Sequence, residues 1–206
     1  ENNEIEFLKN NWRRPFFSLG SRLKIILNLN NSLEIIRSKF SRNWERSLKK
    51  SSRSEIEIFN IKEGETISNL YKELKSQKGL KNKFIYSQKN CESILKAYKD
   101  KLILLGAREK LTGKIIAIRG VIIRNNKIYD IFAATNNLGR SLCASHLILY
   151  SIIEESIKKG YTEYDLSNID PQNSIGVYNF KKGTGGKILN TLGEFEWSNS
   201  LILKLI

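Results

Sequence analysis

Residues 102–134 read LILLGAREKLTGKIIAIRGVIIRNNKIYDIFAA, and this stretch decides the fold. Three runs rich in Ile, Leu and Val, namely Leu102–Glu109, Lys114–Arg124 and Lys127–Ala134, are separated by Thr112-Gly113 and Asn125-Asn126. Both separators are hairpin signals, because Gly and Asn adopt the left-handed φ that lets a tight turn follow the twist of its strands. The stretch is predicted to be a three-stranded antiparallel meander.

Upstream, Glu55–Ile61 alternates apolar and polar residues and predicts a strand. Glu65–Gln77 and Lys89–Lys99 have helical spacing, and a polar connection containing Gly79 separates them. Downstream, a long helix is predicted over Ser141–Lys159, stopped by Gly160. Tyr164-Asp165-Leu166 reads as a short buried strand, and Asp170-Pro171 opens a short helix through Tyr178. Gly183–Gly186 breaks the chain before strands near Lys187–Phe195 and Leu201–Leu205. At the other end, Ile5–Leu8 and Leu23–Leu29 read as strands, and Asn31-Ser32 caps a helix running to about Lys50. One face of that helix carries Leu33, Ile36, Phe40, Trp44 and Leu48. The other gathers Lys39, Arg42, Arg46, Lys49, Lys50 and Arg53, either as a solvated face or as a surface for a polyanion.

With 206 residues, 40% of them hydrophobic, the chain can bury a real core, and disorder is excluded as its main state. No apolar run approaches the roughly 18 residues a membrane-spanning helix needs. The opening Glu1-Asn2-Asn3-Glu4 is not a secretory signal, and Cys91 and Cys143 are too few for a disulfide framework or zinc cluster. These features predict a reduced, cytoplasmic protein without a metal. The net charge of +14 favours polyanionic partners, with Arg more telling than Lys because Lys, Asn and Ile are all abundant together, as in AT-rich coding sequence. Met is absent even at position 1, which suggests the later part of a longer chain.

From Glu55 onward the order of elements resembles the acyltransferase fold of the GNAT superfamily. That fold is α+β, with a central, mostly antiparallel sheet flanked by helices. The resemblance places a GNAT-like domain at residues 54–206, with residues 1–53 as the end of a preceding domain plus a basic linking helix. Acetyl-CoA enzymes of this fold carry Gln/Arg-x-x-Gly-x-Gly/Ala before the long helix, to hold a pyrophosphate on backbone N–H groups. Asn136-Asn137-Leu138-Gly139-Arg140-Ser141 departs from it at the first and last positions, so no CoA cofactor is expected.

A second resemblance is more specific. Residues 160–171 read GYTEYDLSNIDP and residues 176–186 read GVYNFKKGTGG. They are similar to the Fem family (FemABX-like) of aminoacyl-tRNA-dependent peptidyltransferases, where a Tyr-Asp-Leu/Phe strand leads to Gly-hydrophobic-x-x-Phe-Lys-x-Gly-x-Gly-Gly. Residues 144–150, ASHLILY, and 41–50, SRNWERSLKK, also resemble that family. The resemblance implies transfer of an amino acid from aminoacyl-tRNA, as co-substrate, to an amine of a lipid- or nucleotide-linked peptidoglycan precursor. It further implies peripheral contact with the inner membrane face.

Such a reaction asks for a positioned amine and stabilisation of an oxyanion, which a lysine ammonium can supply. Lys181 matches the family's Phe-Lys position and is the catalytic candidate. Phe180 would stack on a base or ribose of the tRNA acceptor end. Lys182 and the backbone of Gly183–Gly186 would meet phosphate, and Tyr178 belongs to the same stretch. Arg42 and Arg46 would face nucleic acid or a nucleotide diphosphate, and Tyr129 with Asp130 would line the donor cleft. The bland alternative for Lys181-Lys182 is a solvated basic turn. His146, the single histidine, lies on an apolar helix face and reads as packed rather than catalytic. Asp165 reads as a buried hydrogen-bonding residue and Asp170 as a cap. Two other functions fit the residues: a CoA- or aminoacyl-dependent N-acyltransferase acting on a sugar or small amine, and a non-catalytic RNA-binding domain.

Overall fold

The computed structural model describes residues 2–16, 18, 20–78 and 86–198. The meander forms as predicted: β3 (Leu102–Glu109), β4 (Ile115–Arg124) and β5 (Lys127–Thr135) pair antiparallel. Asn125 and Asn126 take φ of 48° and 57° at the second turn, the left-handed pair a tight hairpin needs. The other strands are β1 (Leu23–Asn28), β2 (Ile56–Asn60), β6 (Glu163–Asn168) and β7 (Lys187–Asn190). They complete one seven-stranded sheet of order β2-β3-β4-β5-β6-β1-β7. Its neighbours are antiparallel except β5 and β6. Strand β1, drawn from the first 53 residues, lies inside this sheet between β6 and β7.

Two helical layers cover the faces. On one face, α4 (Gly64–Lys78) and α5 (Gln88–Tyr98) bury Ile67, Leu70 and Cys91 with Leu104, Ile118 and Phe132. On the other, α7 (Ala144–Lys158) packs Ile148, Leu149, Ile152 and Ile153 with Ile103, Val121, Ile128 and Tyr164. Over α7 lie α2 (Leu33–Ser38) and α3 (Arg42–Arg53), which contribute Ile36, Trp44 and Leu48.

Five elements differ from the sequence expectation. Ile5–Leu8 is not a strand but part of a helix, α1 (Asn2–Lys9). Phe7 stacks on Phe195 at 4.7 Å and Glu4 pairs with Arg14 at 2.6 Å, which docks the turn as a helix. The single helix expected from Ser32 to about Lys50 is two. Ser41 restarts it, its Oγ accepting from Trp44 N and its own N–H donating to the Gly183 carbonyl at 2.8 Å. The long helix over Ser141–Lys159 is likewise split, into α6 (Asn137–Ser141) and α7, by Cys143 at φ 57°. Asp170 does not open the next helix; its carboxylate accepts the N–H groups of Gln172 and Asn173 to make a turn. Helix α8 (Ile175–Lys182) therefore starts later and runs further, so Lys181 belongs to a helix rather than to a turn. The C-terminal run expected through Phe195 pairs only as β7, with an isolated Arg13–Glu196 bridge beyond it. The strand expected at Leu201–Leu205 lies outside the described residues.

Candidate active site

Strands β5 and β6 pair at only three positions, Lys127, Ile128 and Tyr129 against Glu163, Tyr164 and Asp165. Beyond Tyr129 they diverge, and β6 turns its other edge to β1. A bulge in β6 helps to turn it. Asp165 Oδ1 accepts from Ser167 N at 2.8 Å, Ser167 stands at φ 65°, and Lys24 of β1 pairs with Asp165 Oδ2 at 2.8 Å. The bulge presents the main-chain carbonyl of Asn168 to the end of α8.

Lys181 meets it there. Its Nζ donates to Asn168 O at 2.9 Å, and the residue is 8% exposed. Burial lowers the ammonium's pKa to about 8; Asp130 and then Asp165 work to keep the charge, and Arg119 works against it. Lys181 is thus a buried cation with one of three donors engaged among the described residues. The solvated-turn alternative holds only for Lys182, which is exposed and lies 5.3 Å from the centroid of the Tyr178 ring.

Phe180 stands beside Lys181 in an aromatic box with Trp44 and His146, centroids 6.2 Å and 4.9 Å away. His146 is packed edge-on against Trp44 at 5.0 Å, its Nδ1 is buried without a hydrogen-bond partner among the described residues, and burial pushes its pKa down to about 4. It is neutral in the working range.

The glycines tie this centre to the basic helices. Gly183 is buried against Trp44 and Ser41, and a Cβ at Gly186 would meet Ile25 at 2.6 Å. Arg42 and Arg46 are exposed on α3, on the side away from buried Trp44 and Leu48. Tyr129 is set apart. It pairs with Ile122 on the sheet face opposite Val121 and Asp130, and lines a shallow cleft of about 380 Å³ with Arg124 and Asn125. A second cleft, of about 390 Å³, borders Lys181 through Asn168 and is also lined by Ser18, Ser21, Asp170, Ser174 and Val177. No cluster of three His, Cys, Asp or Glu side chains able to hold a metal occurs among the described residues.

Sequence reasoning missed Arg119, Tyr164 and Lys24. Arg119 did carry a signal: it sits at an inward position of an apolar strand, where a charge requires a buried partner.

The FemAB family model matches residues 108–203, just under half of the chain and the whole region of the Phe180–Lys181 centre. Over those residues the chain is similar to the FemAB family. The crystal structure of FemX superposes on it with a TM-score of 0.80 at 14% identity, over 100% of this chain and 70% of that one. The L-PGS structure from Bacillus licheniformis gives 0.61 at 12% identity, over 100% and 68%. A GNAT-family acetyltransferase from Staphylococcus aureus Mu50 gives 0.51 at 16% identity, over 62% and 82%. At these identities the likeness is one of fold, and that fold is the GNAT-like α+β architecture. No curated protein matches the sequence. No helix among the described residues is long and apolar enough to cross a membrane.

Proposed function

We propose that this protein is a transferase of the Fem type, which moves an amino acid from aminoacyl-tRNA to an amine of a peptidoglycan precursor. The observation that carries the reading is Lys181, a buried ammonium fixed on Asn168 O beside Phe180, whose two other N–H donors have no partner among the described residues and can meet an oxyanion. The acceptor amine attacks the ester carbonyl, the C–N bond forms, and negative charge develops on the carbonyl oxygen. As the intermediate collapses, the ester C–O bond breaks and the amine's proton leaves with the terminal ribose hydroxyl. A pre-positioned cation at the oxyanion stabilises this path without reorganising. Phe180 offers a stacking surface for the acceptor end.

The backbone groups that would serve a CoA donor have partners within the chain. Asn137 N–H donates to Gln77 Oε1 and Gly139 N–H to Asn136 Oδ1, both at 2.8 Å. Ala133 N–H on the diverging edge of β5 donates to the Tyr71 hydroxyl at 2.9 Å. This favours a donor other than CoA.

The test is single-turnover transfer from radiolabelled aminoacyl-tRNA. Lys181→Met should lower the rate by a factor of about 10²–10³, with the melting temperature at pH 7 held or raised because a buried charge is removed. Lys182→Met should mainly weaken donor binding. The wild-type rate should fall as pH rises through about 8, where Lys181 loses its proton, and Lys181→Arg should move that limb upward. A folded Lys181→Met with near-normal transfer removes Lys181 from the chemistry. A one-site acetyl-CoA isotherm at low-micromolar concentrations would turn the assignment to a CoA enzyme.

A further inference from the structure

Three buried polar side chains on the α7 side of the sheet have no role in the transfer as described. Arg119 comes from β4, Asp130 from β5 and Tyr164 from β6. Arg119 Nε donates to Asp130 Oδ1 at 3.0 Å and to the Tyr164 hydroxyl at 3.1 Å, and that hydroxyl donates to Asp130 Oδ1 at 2.6 Å. A second guanidinium nitrogen donates to Asp130 Oδ2. The side chains of the ion pair are 5% and 7% exposed. A buried pair of this kind gives up hydration that its mutual attraction repays only with good geometry, and an apolar trio would pack as stably. Its benefit is fixed geometry.

That geometry is spent on α8. The Arg119 guanidinium carbon lies 5.3 Å from the centroid of the Phe180 ring, while Trp44 and His146 hold two further sides. A ring held this way fixes the last turn of the helix, and with it Lys181. The charges around the lysine come from several elements. Asp130 on β5 is its strongest counter-charge, Asp165 on β6 adds to it, and Arg119 on β4 opposes it. On β1, Lys24 is paired to Asp165, and on α7, His146 is neutral.

We propose that Arg119, Asp130 and Tyr164 are positioning residues of the transfer centre. Arg119, clamped by Asp130 and Tyr164, holds the Phe180 ring and through it the last turn of α8, which carries Lys181. The proposal rests on the reading of Lys181 as the cation that meets the oxyanion.

The test follows Lys181 directly, by NMR of ¹³Cε-labelled lysine through a pH titration, with its signal assigned by loss in Lys181→Met. Asp130→Asn removes one charge at nearly constant shape, and the Lys181 midpoint should fall by about one pH unit. Arg119→Gln should move it upward, which keeps the test open if Asp130→Asn fails to fold. Tyr164→Phe removes no charge and should leave the midpoint in place. Arg119→Lys keeps a cation opposite Asp130 but loses the planar fork over Phe180, so transfer should fall about tenfold from misplacement alone. A folded Asp130→Asn or Arg119→Gln in which Lys181 titrates as in wild type shows that the cluster does not act on the lysine and overturns the proposal. A folded Arg119→Lys with wild-type transfer overturns the clamp. A displaced midpoint in a protein that transfers nothing upholds the positioning of Lys181 by the cluster and removes the aminoacyl reading instead.

Discussion

His146 and Lys181 flank the same phenylalanine, and burial acts on both bases in the same direction. For His146 the folded pKa of about 4 lies below the ordinary 6.5. Between those values the unfolded chain binds a proton that the folded chain does not, so stability falls as pH drops from about 6.5 to 4. The full difference corresponds to about 3 kcal/mol. His146→Phe fills the aromatic box without a titrating group. Denaturant midpoints at pH 7.5 and pH 4.5 should therefore lie closer together in His146→Phe than in wild type, and an unchanged gap would mean that the imidazole is not buried as described. Sequence alone supported the packed reading, since Leu142, Leu149 and Ile153 share the histidine's helix face. It could not supply the partners, because Trp44 and Phe180 lie far away along the chain.

At the scale of elements, the corner between α2 and α3 is fastened to the loop after α8. Ser41 N–H is bonded to Gly183 O, and Gly185, at φ 72°, lies so close to Lys39 that a Cβ would press into its carbonyl oxygen and stand 2.7 Å from its Cβ. Gly185→Ala thus meets two penalties, a left-handed backbone and a steric clash, and should cost about 1–3 kcal/mol. Thermal unfolding checks this, and a variant as stable as wild type would show that the corner yields. Elements with local signals were legible in the sequence. The meander is written in its alternation and turn residues, and α4 and α5 in their apolar spacing. The breaks at Ser41 and Cys143 were not: the first is rewarded by a partner beyond the local run, and the second is a left-handed φ that a cysteine does not announce. Ser41 is a good cap only once Gly183 accepts its N–H, and α1 is helical because Phe195 and Arg14 receive it. The Arg119–Asp130–Tyr164 cluster joins three strands, and no spacing rule links residues from three strands.

Across the whole molecule, the excess charge is unevenly matched. Lys24, Arg119, Lys127 and Lys159 have carboxylate partners, and on α3 Glu45 is shared by Arg37 and Lys49. Arg42 makes no ion pair among the described residues, and Arg46 reaches only Asn43 Oδ1 at 3.3 Å. Both are exposed, as are Lys39 at the α2–α3 corner and Lys182 at the end of α8, and that corner is bonded to the loop that follows Lys182. A basic surface therefore leads from α3 to the helix end that holds Phe180 and Lys181, as an RNA acceptor stem ending at the reaction centre would require. Binding of tRNA should weaken steeply with salt, because each phosphate contact releases a condensed counterion. Reversing Arg42 and Arg46 to Glu should weaken it at least about tenfold, or ~1.4 kcal/mol, and flatten the salt dependence. Lys89→Glu with Lys96→Glu is the control: it changes net charge equally but on exposed α5, across the sheet from α3. Filter binding of tRNA over a salt series separates the cases. If the two double variants lose affinity equally, binding follows net charge alone, and the α3 surface has no special claim on the RNA.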